Sequence, residues 1–178
     1  RRILQAMPKQ HDILINVTIN EMPGTSDLTR LGRAATPALA KALLNNMNDG
    51  VRGICASVLG EIRDPAASEA LVLALEDAAP EVRYSALGAL GKIGGSATVD
   101  PILALITNPE EEDWVKGAAI HALGRIGDPK SFGLLLKMVR SDEYRGLQGN
   151  IVAALWLARG RVKRDKLVKV FTELLRKN

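Results

Sequence analysis

VKGAAIHALGRIGDPKSFGLLL, from Val115 to Leu136, occurs in close copies further upstream. VRGICASVLGEIRDPAASEALVLAL begins at Val51 and VRYSALGALGKIGGSATVDPILAL begins at Val82, so a Leu-Gly pair recurs at Leu59-Gly60, Leu90-Gly91 and Leu123-Gly124. The glycines are 31 and 33 residues apart. Self-similarity at such a period marks a stacked-repeat architecture, in which each unit buries its apolar face only against its neighbours.

The unit reads outward from this stretch as a helix, a short turn holding an acidic residue, and a second helix that begins near Val-Arg and ends near Ile-Gly. First helices are predicted over 37–48, 65–77, 99–107 and 129–140, several opening on a proline in the first turn, where its missing N–H costs nothing. Second helices are predicted over 50–62, 81–93, 111–126 and 143–158, with acids at their starts that suit the helix macrodipole. GNIVAALWLARG, from Gly149 to Gly160, is aligned as the last copy with Ala158 in place of the period glycine.

LGRAATP from Leu31 to Pro37 matches LGEIRDP from Leu59 and LGRIGDP from Leu123 position by position, which makes residues 1–35 a degenerate first repeat. Helices over 12–22 and 28–34 are expected there, and residues 1–11 are expected to be irregular because of Pro8. At the other end, Leu167, Val168, Phe171, Leu174 and Leu175 form one apolar stripe among charged residues, as in a helix that caps a stack. The expectation is one all-α domain over 1–178, with regular repeats at 36–160 and a capping helix at 161–178.

Composition agrees with this reading. The chain is 47% hydrophobic and 25% charged but only 3% aromatic, so its core is built from Ala, Leu, Val and Ile, which suits helices at close range. Cys55 is the sole cysteine, which excludes an internal disulfide and a thiolate zinc site. A reducing, cytoplasmic setting is the expectation. No apolar run approaches the ~20 residues of a membrane span, so no membrane partner is expected. The net charge of +4 is uneven: residues 159–178 hold eight Lys or Arg against Asp165 and Glu173, a net of +6, which leaves −2 for the rest. The basic character therefore belongs to the C-terminal stretch.

The pattern V-R-x-x-A-x-x-x-L-G-x-I-x-D-P followed by an Ala- and Leu-rich helix resembles HEAT repeats, in the short variety found in bacterial proteins and bilin lyase subunits. The resemblance covers about 36–160. It implies a right-handed α-solenoid of about five helix pairs and, as its commonest use, protein binding on the concave face lined by the second helices. HEAT-like hydroxylases hold two irons with paired His-Glu motifs; here Asp12 follows His11 and Ala122 follows His121, so the motif is absent. HEAT-like glycosylases place Trp and Asp in a basic groove, and neither Trp114 nor Trp156 falls on the stripe assigned to that face. Fold alone does not carry function.

Counted from the period glycine, the positions nine, five, two and one before it and two after are apolar in three copies. They hold Val51, Cys55, Val58, Leu59 and Ile62, then Val82, Ala86, Ala89, Leu90 and Ile93, then Val115, Ala119, Ala122, Leu123 and Ile126. Cys55 is read as a small core residue and not as a nucleophile. The positions seven and three before and one after step by four and share one helix face. They vary: Gly53, Ser57 and Glu61; Tyr84, Gly88 and Lys92; Gly117, His121 and Arg125; Ile151, Leu155 and Arg159. Tyr84, Lys92, His121, Arg125 and Arg159 are therefore the candidate contacts for an acidic or phosphate-bearing partner.

Eight before the glycine stand Arg52, Arg83, Lys116 and then Asn150. The resemblance implies that such a basic residue pairs with a turn acid of its own or a neighbouring repeat, and Asp49, Asp77 and Asp113 stand where the partner belongs. No catalytic residue, metal ligand or cofactor site is identified: His121 has no second imidazole near it in sequence, and Gly91, Gly94 and Gly95 lack the Lys-Ser or Lys-Thr of a phosphate loop. The reading is a non-enzymatic scaffold for a protein partner. The alternatives are nucleic-acid binding through Lys92, Arg125, Arg159 and the basic C-terminal stretch, and a lyase-like enzyme subunit.

Overall fold

A computed structural model describes residues 32–161 together with Val168 and Thr172. The expected helices over 12–22 and 28–34 and nearly all of the expected capping helix lie outside the described residues; residues 32–35 form a 3-10 turn. Val168 and Thr172 are helical, and Val168, assigned to the apolar stripe, is exposed.

Among the described residues every regular element is helical. In chain order these are α1 (Thr36–Asn45), α2 (Asp49–Ile62), α3 (Ser68–Leu73), α4 (Pro80–Ile93), α5 (Val99–Thr107), α6 (Asp113–Ile126), α7 (Pro129–Met138) and α8 (Gln148–Leu157). First and second helices alternate as the repeat predicts. Several elements differ in detail: α1 ends at Asn45 and α7 at Met138, short of the expected ends at 48 and 140. The segment expected as one helix over 65–77 is α3 flanked by 3-10 turns at Pro65–Ala67 and Ala74–Glu76. α6 starts two residues late, and Glu111 is buried, only 7% exposed, its side chain accepting from the Glu112 N–H at 3.0 Å. The helix expected from Glu143 is a 3-10 segment over Asp142–Leu147, kinked at Tyr144, before α8 begins.

Local chemistry fixes the ends. The Asn48 side chain accepts from Val51 N at 3.2 Å to open α2, and Asp128 accepts from Ser131 N at 2.7 Å to open α7 with Pro129 in its first turn. Three of the four second helices among the described residues, α2, α4 and α6, close on one backbone bond of the same register: Arg63 N to Leu59 O, Gly94 N to Leu90 O and Gly127 N to Leu123 O. The closing residue is left-handed each time, with φ of 54°, 82° and 59°. Glycine takes that conformation freely; Arg63 takes it at a steric cost of about 1 kcal/mol.

The chain divides into two compact units, residues 1–89 and 90–178, with the boundary inside α4. In unit one α1 packs on α2 and α3. The core there includes Leu39, Leu43, Cys55, Val58, Leu59 and Leu71, all buried, with Val51 and Ile62 half-buried. Burial pushes the Cys55 thiol up to about 12, so it is an inert core group. Thr36 Oγ1 donates to Asp64 Oδ2 at 2.9 Å and ties the start of α1 to the turn after α2.

In unit two α6 is the central helix and packs on α5, α7 and α8. Val115, Ala119, Ala122, Leu123 and Ile126 are all buried, and Ile120 joins them. The small residues allow close approach. An added Cβ on Gly124 would lie 2.6 Å from the Cα and O of Ala154, and one on Gly91 would lie 3.2 Å from the Cα of Ala122. The period glycine is thus the place where the backbone of the next second helix comes in.

Candidate functional site

The same contacts set the register of the last copy. Gly91 meets Ala122, two before its own period glycine, and Gly124 meets Ala154; the equivalent of the period glycine in α8 is therefore Trp156 and not Ala158. A second contact agrees, since Gly53 faces Ser85 and Gly117 faces Asn150, again the same step along the repeat. Burial follows this register: Ile151, Ala154, Leu155 and Ala158 are buried, while Ala153, Trp156 and Leu157 are exposed.

The assignment of Ile151, Leu155 and Arg159 to the exposed stripe is thereby corrected. Ile151 and Leu155 are core, and the stripe of the last copy is Gly149, Ala153 and Leu157. Size misled the alignment, because Ala is nearer to Gly than Trp is. Trp is accommodated because its position lacks the constraint: Trp156 is 56% exposed, whereas Gly124 receives a helix backbone. The signal in the sequence was Ala154-Leu155, which repeats Ala89-Leu90 and Ala122-Leu123. Arg159 lies past the end of α8. Its guanidinium stacks 4.4 Å over the Trp156 ring, and its Nη1 donates to Trp156 O at 2.9 Å.

The remaining candidates divide between the units. Glu61 and Tyr84 are exposed in unit one, on α2 and α4. Lys92, His121 and Arg125 are in unit two, on the last turn of α4 and on α6. His121 and Arg125 are one helical turn apart and both exposed. The Arg125 stem reaches toward α4, its Cδ lying 3.4 Å from where a Gly91 Cβ would stand, next in sequence to Lys92. Partial burial, with the Arg125 charge added, holds the His121 imidazole below its ordinary value. Gly117, placed on the same stripe, is buried under Asn150.

The basic residues eight before the glycine do three different things. Arg52 forms a two-pronged pair with Asp77 of the following turn, Nε to Oδ2 at 2.7 Å and Nη2 to Oδ1 at 2.8 Å, and its Nη1 donates to Asn46 O at 2.9 Å. Both side chains are largely buried. The Arg52 bond holds the Asp77 carboxyl below its usual range, and Asp77 raises the Arg52 guanidinium in turn. Arg83 Nη1 donates to Asp77 O at 2.8 Å, six residues back in the chain, the same offset at which Arg52 reaches Asn46. Lys116 lacks the planar fork that serves a carboxylate and a carbonyl at once, and it makes no such pair among the described residues.

Periodicity gave no sign of one further feature. An open cleft of about 400 Å3 in unit one has the Arg52–Asp77 pair among its lining, with the exposed side chains of Leu44, Met47 and Leu73 beside it. These residues sit at helix ends and in the turn after α1, where no repeat position is defined; an apolar Met47 in a polar turn is the only mark of it in the sequence.

Paired helices, a closing bond common to α2, α4 and α6 and a close approach at Gly91 and Gly124 define a helical-repeat protein of the α-solenoid class. HEAT repeats are matched at residues 36–114 and 96–156, and the chain belongs to the HEAT repeat family. No match was found among the curated proteins. No helix among the described residues is long and apolar enough to cross a membrane, and no cluster of three or more His, Cys, Asp or Glu among them is placed to hold a metal ion.

Proposed function

We propose that this chain is a non-enzymatic scaffold that binds an acidic segment of a protein partner on the exposed stripe of its second helices. One observation supports the reading: His121 and Arg125 are exposed one turn apart on α6, and the Arg125 stem reaches toward Gly91, next in sequence to Lys92, while the packed side of the same helices is apolar. The core is repeated from copy to copy, whereas the exposed stripe positions three before and one after the glycine in α6, His121 and Arg125, are not, so these are open to being specified by something other than packing. Arriving carboxylates pair with the Arg125 guanidinium and can accept a hydrogen bond from the His121 imidazole, and charge complementarity of this kind governs encounter and register more than raw affinity.

Reversal of charge tests it. Lys92→Glu with Arg125→Glu is expected to weaken capture of the partner co-purified from the native host by tenfold or more, on the order of 1.4 kcal/mol. Unchanged capture, with helicity intact by circular dichroism, overturns the reading. The +6 charge of residues 159–178 favours a second reading, nucleic-acid binding. Affinity that falls steeply and linearly with log salt would select it.

A further inference from the structure

We infer that the exposed stripe of unit two reads two features of its partner at once: a carboxylate held by Arg125, His121 and Lys92, and an apolar side chain set on Ala153 and Leu157 about 8–10 Å away. This rests on the scaffold reading above and narrows it to a recognition rule.

The corrected register makes the argument. With Trp156 at the glycine position, Ala153 is the counterpart of His121 and Leu157 is the counterpart of Arg125. α6 and α8 are neighbours whose backbones touch at Gly124 and Ala154, so their stripes run side by side at the short end of helix packing distances. Passing from α6 to α8 the stripe changes from cationic to apolar: Arg125 and His121 are exposed on one helix, and Leu157, 43% exposed, and Ala153 on the other. The exposed Trp156 ring, stiffened by the stacked Arg159 guanidinium, flanks the apolar end. None of these stripe positions holds an acid. An all-acidic segment would leave Leu157 against charge, and an all-apolar one would strip water from Arg125 without offering it a partner. A segment bearing a carboxylate followed by an aliphatic or aromatic side chain satisfies both helices. The separation corresponds to about two to three residues of extended chain or about five to seven residues along a helix.

The test uses the full chain and an array of short synthetic peptides in a Ser/Ala background, each with a pair of Glu and one Leu at stepwise increasing spacing. Binding is expected to peak at spacings of about two to three or about five to seven and to drop about tenfold when the Leu becomes Ser. Leu157→Glu, with Ala153→Glu as a second variant at an exposed position, is expected to abolish the Leu dependence and leave weak binding of the Glu-only peptide. A flat spacing profile, or a Leu dependence that survives both variants, overturns the two-part rule. If Lys92→Glu with Arg125→Glu leaves all peptide binding unchanged, the scaffold reading beneath it falls as well. Preference for a short single-stranded oligonucleotide over every peptide, lost in high salt, overturns the inference in favour of a nucleic acid.

Discussion

The joint between successive second helices is made in two ways in this molecule. In unit one, Arg52 on α2 grips Asp77 in the turn ahead of α4, and Gly53 has ordinary clearance: a Cβ there would stand 3.6 Å from Ser85 Oγ. In unit two, Lys116 replaces the arginine and makes no comparable pair among the described residues, while the glycines are pressed hard, Gly117 against Asn150 and Gly124 against the Ala154 backbone. One repeat pattern thus uses a charged fork at the α2–α4 joint and close backbone approach at the α6–α8 joint. A stack of nearest-neighbour interfaces permits this, because each interface contributes separately.

The contrast can be broken most strongly at Gly124. A methyl group there demands movement of the Ala154 backbone, so Gly124→Ala is expected to destabilise unit two by about 3 kcal/mol despite the better helix propensity of alanine. Chemical denaturation with a helix signal reads it; a loss below about 1 kcal/mol would show that the joint gives way easily.

Removing the fork comes next. Arg52→Ala leaves a largely buried carboxylate without its main partner and is expected to cost about 2–3 kcal/mol. The pair also predicts acid sensitivity. Arg52 lowers the Asp77 carboxyl in the folded chain, so the folded state binds fewer protons than the unfolded one near pH 4. This stability is present above the ordinary carboxyl range and is lost as pH falls through the lower folded value. Denaturation midpoints measured from about pH 6 down to about pH 3 should fall less steeply in the Arg52→Ala chain than in the parent. Parallel curves would assign the acid loss to other carboxyls.

The smallest effect has the opposite sign. Gly88 is in the interior of α4, exposed, with nothing within 4 Å of an added Cβ. Gly88→Ala should therefore stabilise by about 0.5–1 kcal/mol, through helix propensity and a less flexible unfolded chain. A rise in thermal midpoint beside the fall for Gly124→Ala would separate the glycines that packing requires from those it does not.

The candidate site was legible in part. Lys92, His121 and Arg125 follow from counting back and forward from the Leu-Gly pair, and the structure gathers them in one unit. Arg159 does not belong with them, because counting fails where the marker glycine is gone. The apolar half of the stripe, Ala153 and Leu157, was hidden by the same slip, for a shift of two residues on a helix turns a buried face toward solvent. The cleft beside Arg52 and Asp77 could not have been found by period at all, since it is assembled from helix ends and turns.

By itself the sequence determined the helix pairs of the described residues, their order, the core positions of the three Leu-Gly copies and the family, because period and apolar spacing are local properties that three copies restate. Tertiary structure alone decided which basic residue reaches an acid, which glycine is pressed by a neighbour, and that Trp156 occupies the glycine position of α8. These are properties of contact between copies: a carboxylate must lie within reach of a guanidinium, and a Cβ is excluded only where another backbone already stands.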